Sequence, residues 1–396
     1  MNKYDIAVVG GGASGIVAAI AAVSRGGRVI LLEKNKAVAR KVMISGSGRC
    51  NIFNECLNED RYNSEARCLV KNIFSRFGKA DMVRFFESLG LRLYAQEGRV
   101  FPVTNQAASV VKALEIELKR LAVPVEFDFE AIRIVVQQKG FVITASSGKN
   151  IFASRLIIAG GGKTYPALGS DGKLYDIASQ FRHSIVEPVP SAVPLVVKHK
   201  LCHLLQGQKI SARVRSIISD KMSIQIAGEL LFTKYGLSGT AILDVSDEIS
   251  IAVHRNKNQA QVSVDTVPFM ESQMLKEWLC ARIKRGVREA DMLIGILPNK
   301  FSLVLEPIVQ KKNLDVLVAA LKDMRFTVSG TRGWNEAEFT CGGIDVHEIN
   351  AETLESNLQK GLYFCGEILD VNGARGGYNL AWAWASGHVA GEAAAA

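Results

Sequence analysis

Short apolar runs closed by glycine stand at both ends of the chain. Residues 4–9 (YDIAVV) are apolar almost without alternation and read as a buried strand. GGGASG follows. The small apolar residues of IVAAIAAVSRGG then read as a helix able to lie close against that strand. RVILLE (28–33) is a second buried strand, ending in Glu33. Residues 125–162 alternate short apolar runs with turns at Gly140 and SSGKN, which predicts a meander of strands. The last of them, RLIIA (155–159), runs into a triple glycine, and KTYPALGSDGKLYDIASQF continues as a polar loop and then a helix. At the far end, GLYFCGE (361–367) reads as a strand closed by Gly366-Glu367, and NGARGGYN as a glycine loop. YNLAWAWASGHVAGEAAA reads as a helix, with Leu380, Trp384, His388 and Gly391 roughly on one face.

The pattern changes from about 191 to 330. AVPLVVKHK, ISARVRSIIS, KMSIQIAGELLFT and AILDVS read as strands. ESQMLKEWLCARIKRG, EADMLIGIL, NKFSLVLEPIVQ and LDVLVAALKDM read as short amphipathic helices. The expected organisation is α/β: a discontinuous domain of residues 1–190 and 331–396, an inserted β domain of 191–267 and a helical subdomain of 268–330.

The candidate chemistry lies in the glycine turns. Gly10, Gly12 and Gly15 have the GxGxxG spacing between a strand and a helix, with an acid ending the next strand. Gly10 permits a tight turn, Gly12 a close approach of backbone to a pyrophosphate, and Gly15 close helix packing. The helix N-terminus faces the phosphates. Glu33 stands where a carboxylate accepts hydrogen bonds from both ribose hydroxyls. This fingerprint does not separate NAD from FAD. The far end favours FAD, which needs adenosine at one edge of the fold and isoalloxazine at another. Backbone amides near Gly376, Gly377 and Tyr378 open a helix whose dipole stabilises negative charge on a reduced ring. The loop KVMISGSGRCNIFN (41–54) is too polar for a strand and too rich in glycine for a stable helix.

Composition narrows the class. The 396 residues are 48% hydrophobic and 22% charged, ordinary for a soluble protein of about two or three domains. The amino terminus lacks the apolar core of a signal peptide, and no apolar run reaches the ~18 residues of a membrane helix. The expected location is cytoplasmic. Seven scattered cysteines without a CxxC argue against a disulfide framework or a zinc site, and six dispersed histidines suggest no metal. The formal net charge is +9, and residues 191–330 carry 19 Lys+Arg against 13 Asp+Glu, a net +6. The most basic stretch, ARIKRGVREAD, lacks interleaved aromatics and reads as a solvated helix face rather than a nucleic-acid patch.

SGSGRCNIFN, GRVFP (98–102), AGGGKTYPALGSDG (159–172), GELLFTKYGLSGTAIL (228–243), TCGGIDVHEI (340–349) and GLYFCGEILDVNGARGGYNLAWAWASGHVAG (361–391) together resemble the aminoacetone-oxidase-like, BaiN-type (YhiN-like) bacterial FAD-dependent oxidoreductases, in order and over nearly the whole chain. Thr240 and Phe53-Asn54 depart from that family's usual proline and threonine-asparagine. The resemblance implies a glutathione-reductase-type FAD-binding Rossmann domain, with a β-barrel-like domain and a small helical subdomain inserted between its two halves. It implies that Lys41–Asn51 passes along the FAD pyrophosphate and ribityl chain towards the isoalloxazine. Ser45, Gly46, Ser47 and Gly48 would offer backbone donors there, and Arg49 and Asn51 would reach phosphate or ring heteroatoms. Ala13, Ser14, Lys34, Lys41, Cys50, Ala131, Ala159, Gly160, Gly161, Gly366, Glu367 and Asn379 complete the implied cofactor set.

The expected function is an FAD-dependent oxidoreductase passing hydride through flavin N5 to or from a small organic substrate, with NAD(P)H as a transient donor. Arg99, Tyr235 and Arg375, each in a glycine-flanked motif, are the substrate-side candidates; no catalytic residue is assigned, and oligomeric state is not legible. Two alternatives stand beside it. One is a flavin thiol-disulfide reductase using Cys50 and Cys56, although five residues separate them. The other is a flavin-dependent RNA-modifying enzyme, or a non-catalytic FAD sensor, motivated by the basic inserted segment.

Overall fold

Strands whose residues are apolar on both sides must be covered on both faces. In the computed structural model, which describes residues 3–137, 139–309 and 313–396, Lys3–Val9 lies inside a seven-stranded sheet and pairs in parallel with Val29–Leu32, Val9 opposite Leu32. Asn150–Ile158 runs parallel on its other side, and Leu362–Phe364 runs parallel to Asn150–Ile158, with both Val9 and Phe364 opposite Ile158. Val125–Glu126 extends one edge in parallel, and Gly140–Ala145 and Ala131–Gln137 add two antiparallel strands at the other. The expected meander is present, with Gln138 outside the described residues. Four parallel strands therefore end level, and the chain leaves them at Gly10, Glu33, Ala159 and Cys365-Gly366.

Two compact units result: residues up to Pro188 with Phe339–Ala396, and Val189–Glu338. In the first, the helices Ala13–Ser24 and Tyr378–Ala395 pack at very short range. A Cβ on Gly387 would lie 2.3 Å from the Ser14 carbonyl oxygen, and one on Gly391 would lie 2.3 Å from that of Ala18. Only glycine fits at these two steps, four residues apart on one helix and matched by Ser14 and Ala18 on the other. The face expected through Leu380, Trp384, His388 and Gly391 is only part of what this helix buries. Trp382 and Trp384 are both enclosed, their indole N–H groups donating to the Gly366 carbonyl (3.1 Å) and the Ile52 carbonyl (2.9 Å).

The second unit holds an antiparallel sheet of eight strands, in the order Met324–Val328, Ala260–Asp265, Lys209–Ile218, Ile226–Thr233, Gly236–Ser238, Leu195–Val196, Gly330–Thr331, with Lys221–Met222 on Lys209–Ile218. Its two end strands are separated only by Ser329, so the sheet curls back on itself. Helices Ser272–Lys284, Asn299–Val309 and Leu314–Lys322 lie between the strands Ala260–Asp265 and Met324–Val328 of that sheet, so the expected helical subdomain of 268–330 also holds the end strand Met324–Val328; Gln310, where one expected helix ends, lies outside the described residues.

Four local readings are corrected. AILDVS is not a strand but part of the helix Thr240–Ser250, whose buried Ala241, Ile242, Val245, Ser246 and Ile249 recur with helical spacing. EADMLIGIL is not an amphipathic helix: it makes one 3-10 turn, Glu289–Asp291. AVPLVVKHK is strand only at Leu195–Val196, and its last residue opens the helix Lys200–Leu204. The loop at 41–54 contains a short helix, Arg40–Ile44. Among the described residues, no helix is long and apolar enough to cross a membrane.

One buried histidine makes the first unit's stability depend on pH. His183 is enclosed, with Nδ1 2.9 Å from Glu348 Oε2 and Nε2 2.7 Å from Ser356 Oγ. Burial pulls its pKa below the usual histidine value, outweighing the opposing pull of Glu348. The unfolded chain therefore binds the proton more tightly. This contribution is intact above the ordinary histidine pKa of about 6.5 and is lost as pH falls through and below it, at up to about 1.4 kcal/mol per pH unit. Denaturant melts from pH 8 to 5 should show this loss, and His183→Gln should flatten it.

Candidate functional site

The level strand ends place the glycine segments along one edge. Gly10 has φ 109°, and its Cβ would lie 2.5 Å from the Ala159 carbonyl oxygen; a Cβ on Gly15 would lie 1.9 Å from the Gly10 carbonyl oxygen. Those two glycines are demanded by the fold. Gly12 differs. Its φ −81° and ψ −170° suit any residue, and nothing lies within 4 Å of where its Cβ would point. No protein atom requires glycine there, so the open space at this helix N-terminus is a cradle for something else. Ser14 and Ala13 open the helix, and the Ser14 hydroxyl donates to the Cys365 carbonyl (3.4 Å), joining the first turn to the far strand.

Glu33 is buried. Its Oε2 accepts the Gly11 amide (2.7 Å), and its Oε1 accepts the Asn35 amide (2.8 Å) and side chain (2.6 Å). A carboxylate offers about four acceptor positions. Three are occupied, so Glu33 has room for one ribose hydroxyl rather than the expected two unless Asn35 turns away. Lys34 is ion-paired with Asp171 (3.0 Å). Ala131 begins a strand two residues after Phe129, whose amide donates to the Glu33 carbonyl (3.0 Å).

The 41–51 loop joins both halves. Lys41 Nζ pairs with Glu367 Oε2 (2.7 Å) and bonds Thr164 Oγ1; Glu367 Oε1 accepts the Thr340 amide (2.7 Å) and the Thr164 hydroxyl (3.3 Å). The Thr340 hydroxyl in turn accepts the Lys163 amide (2.8 Å), beside the Gly160–Gly161 turn. Gly46, Ser47, Gly48 and Cys50 all have positive φ, and Cys50 N donates to the Ser45 carbonyl (3.0 Å). Gly48, like Gly12, has open space where a Cβ would be. Asn51 Oδ1 is a buried oxygen without a hydrogen-bond partner, 2.8 Å from where a Cβ on Gly377 would stand. Gly376 (φ 116°) and Gly377 (φ 103°) precede the helix Tyr378–Ala395, and the Asn379 side chain closes their loop through both Gly373 backbone groups (2.9 and 2.7 Å). The phenol of Tyr62 donates to the Tyr378 carbonyl (2.7 Å). An extended ligand bearing phosphates and a heteroatom-rich ring suits these groups: the open cradle at Gly12, an orphaned amide oxygen and two helix N-termini.

Of the substrate-side candidates, Arg99 lies against Gly376, and Arg375 lies in the same loop. Tyr235 belongs to the second unit, where its ring carries the Arg332 guanidinium at 4.6 Å. Asn35, Thr164, Thr340 and Trp382 escaped the sequence reading. Thr164 and Thr340 sit inside motifs quoted above, but nothing local shows that both meet Glu367. The thiol relay finds no support. Cys50 is fully buried, and burial pushes its thiol up to about 12, so it supplies no thiolate near neutral pH, whereas Cys56 is exposed.

A family model described as the HI0933-like protein Rossmann domain matches residues 4–393. The chain is 35% identical to a 3-dehydro-bile acid delta(4,6)-reductase of Clostridium scindens, covering 100% of this chain and 99% of that protein. It is 30% identical to a ribosomal RNA dihydrouridine synthase of Escherichia coli, covering 98% and 96%. The solved 3-ketosteroid delta1-dehydrogenase of Sterolibacterium denitrificans superposes with a TM-score of 0.51 over 100% of both chains at 14% identity, a likeness of fold.

Proposed function

The chain belongs to the HI0933-like protein family, and from that premise we propose that it is an FAD-dependent reductase of a carbon–carbon double bond conjugated to a carbonyl group, with NADH or NADPH as electron donor. FAD is the cofactor and the chain is a flavin oxidoreductase. The observation that carries the reading is the shared edge: the Gly12 cradle, Glu33, Ala159–Gly161 and Gly366-Glu367 all leave level ends of parallel strands. Relatives supply the bond type. One is named for reducing ring unsaturation and another for making dihydrouridine, a uridine whose ring double bond is saturated.

Bound FAD supplies a two-electron hydride donor and acceptor at N5. In this reading the Gly12 and Ala13 amides hold the pyrophosphate, and Glu33 holds the adenosine ribose. The Lys41–Glu367 pair and the 45–51 loop line the ribityl chain and ring. Amides of Gly377 and Tyr378, at the positive end of the last helix, stabilise negative charge on the reduced pyrimidine. The substrate gains a hydride at the carbon β to its carbonyl and a proton at α, and NAD(P)H is oxidised in the same stoichiometry. A cytoplasmic location belongs to this reading. Anaerobic turnover with 2-cyclohexenone and NADPH or NADH should form one saturated ketone per nicotinamide oxidised; no product with either donor rejects the reading.

Glu33→Ala should weaken FAD by about 1.5–3 kcal/mol, the worth of hydrogen bonds to a charged group. Unchanged affinity in a fluorescence titration of the apoprotein would reject the ribose role.

A second reading keeps the chemistry and changes the substrate. Uridine itself carries a carbonyl-conjugated double bond, one relative is named for acting on ribosomal RNA, and a net charge of +9 is compatible with an RNA partner. RNA affinity falling steeply between 50 and 200 mM salt would support it.

A further inference from the structure

Two arginines stand on one face of a small sheet beside the last helix, and among the described residues no carboxylate pairs with either. Phe53–Asn54, Arg99–Pro102 and Leu93–Gln96 form this three-stranded sheet, with Asn54 opposite Arg99. Arg99 and Phe101, two residues apart on one strand, share a face. The Arg49 guanidinium covers the Phe101 ring at 4.5 Å. Arg99 Nε lies 3.7 Å from where a Cβ on Gly376 would be, and Asn54 Nδ2 donates to the Gly376 carbonyl (2.9 Å). Arg49 and Arg99 are exposed, and among the described residues neither forms an ion pair. Of the nearby acids, Glu55 is held by Lys79 (3.7 Å), and Glu97, at the turn of the hairpin, pairs with neither arginine.

Like charges left together beside the positive end of an 18-residue helix repel one another. The arrangement is costly alone and favourable once a negative group sits among them. Stacking on Phe101 fixes one guanidinium plane, and planar guanidinium groups match the paired oxygens of carboxylate or phosphate. We propose that Arg99, with Arg49 beside it, binds an oxyanion carried by the substrate and so selects anionic substrates. This rests on the reading that the substrate is reduced at the N-terminus of Tyr378–Ala395.

The test uses oxidised holoenzyme and needs no turnover. Cinnamate and methyl cinnamate share a conjugated double bond and differ in charge. Each is titrated while the flavin spectrum is followed, and a ten-nucleotide single-stranded RNA is titrated by fluorescence anisotropy. Cinnamate should bind at least about tenfold tighter than its ester, a preference that high salt weakens. Arg99→Gln should erase most of it while FAD content and melting temperature stay unchanged, and Arg99→Lys should restore part. If RNA instead loses affinity in Arg99→Gln while cinnamate and ester bind alike, the oxyanion is a phosphate. The proposal is overturned if neither ligand distinguishes Arg99→Gln from wild type, or if that variant releases FAD. Failure of the reduction reading is distinguishable: NAD(P)H would reduce neither 2-cyclohexenone nor cinnamate while the Arg99-dependent anion preference remained.

Discussion

A Gly12→Val protein should fold normally and purify colourless. The backbone at Gly12 is in a region open to valine, and no protein atom lies within 4 Å of the added Cβ. The folded chain therefore loses little, about 1 kcal/mol for a poorer residue at a helix N-cap. FAD loses far more. Valine would fill the space through which the pyrophosphate reaches the first amides of Ala13–Ser24. The expected loss of affinity is at least about a thousandfold, or roughly 4 kcal/mol. FAD content by absorbance and stability by thermal melting of the apoprotein separate the two effects. A yellow variant with normal FAD content would remove the pyrophosphate from this cradle.

Gly387→Leu should fail in the opposite order, through the fold first. A Cβ at this position already meets the Ser14 carbonyl oxygen at 2.3 Å, and leucine adds three more carbons. Backbone cannot yield as a side-chain tip can, so the two helices must separate. Forced overpacking costs about 1–3 kcal/mol and more where backbone must shift; about 3 kcal/mol would lower the melting temperature by roughly 6–12 °C in a unit of this size. Cofactor should be lost as well, because Ser14 belongs to the turn that begins at Gly10. Thermal melts of apo and FAD-loaded forms read both consequences. An unchanged melting temperature would show that these helices do not pack at the distance described.

The glycine turn was legible because its constraints are local: strand, Gly10, Gly15 and Glu33 all act within one βαβ unit. The far strand and Gly366-Glu367 were legible for the same reason. The pairing of Lys41 with Glu367, 326 positions apart, leaves no local trace. Thr164 and Thr340 reach Glu367 only because separate segments return to the same sheet edge. AILDVS misled because six residues of mixed polarity satisfy both periods; the helical spacing shows only when Ile249 is included. Arg40–Ile44 was hidden by the glycines after it, although the helix ends before they begin. The spacing marks Glu33 as the acid ending the second strand, yet the three hydrogen bonds it accepts from Gly11 and Asn35 depend on a turn geometry that no spacing rule gives.

The most direct test is an anaerobic absorbance titration of the purified protein, first with NADH, then with NADPH, then with 2-cyclohexenone. A yellow protein should bleach with one nicotinamide and regain its colour as the enone is reduced, one equivalent for each flavin. A protein without flavin absorbance would contradict the cofactor. A yellow protein that neither nicotinamide bleaches would contradict the reductase.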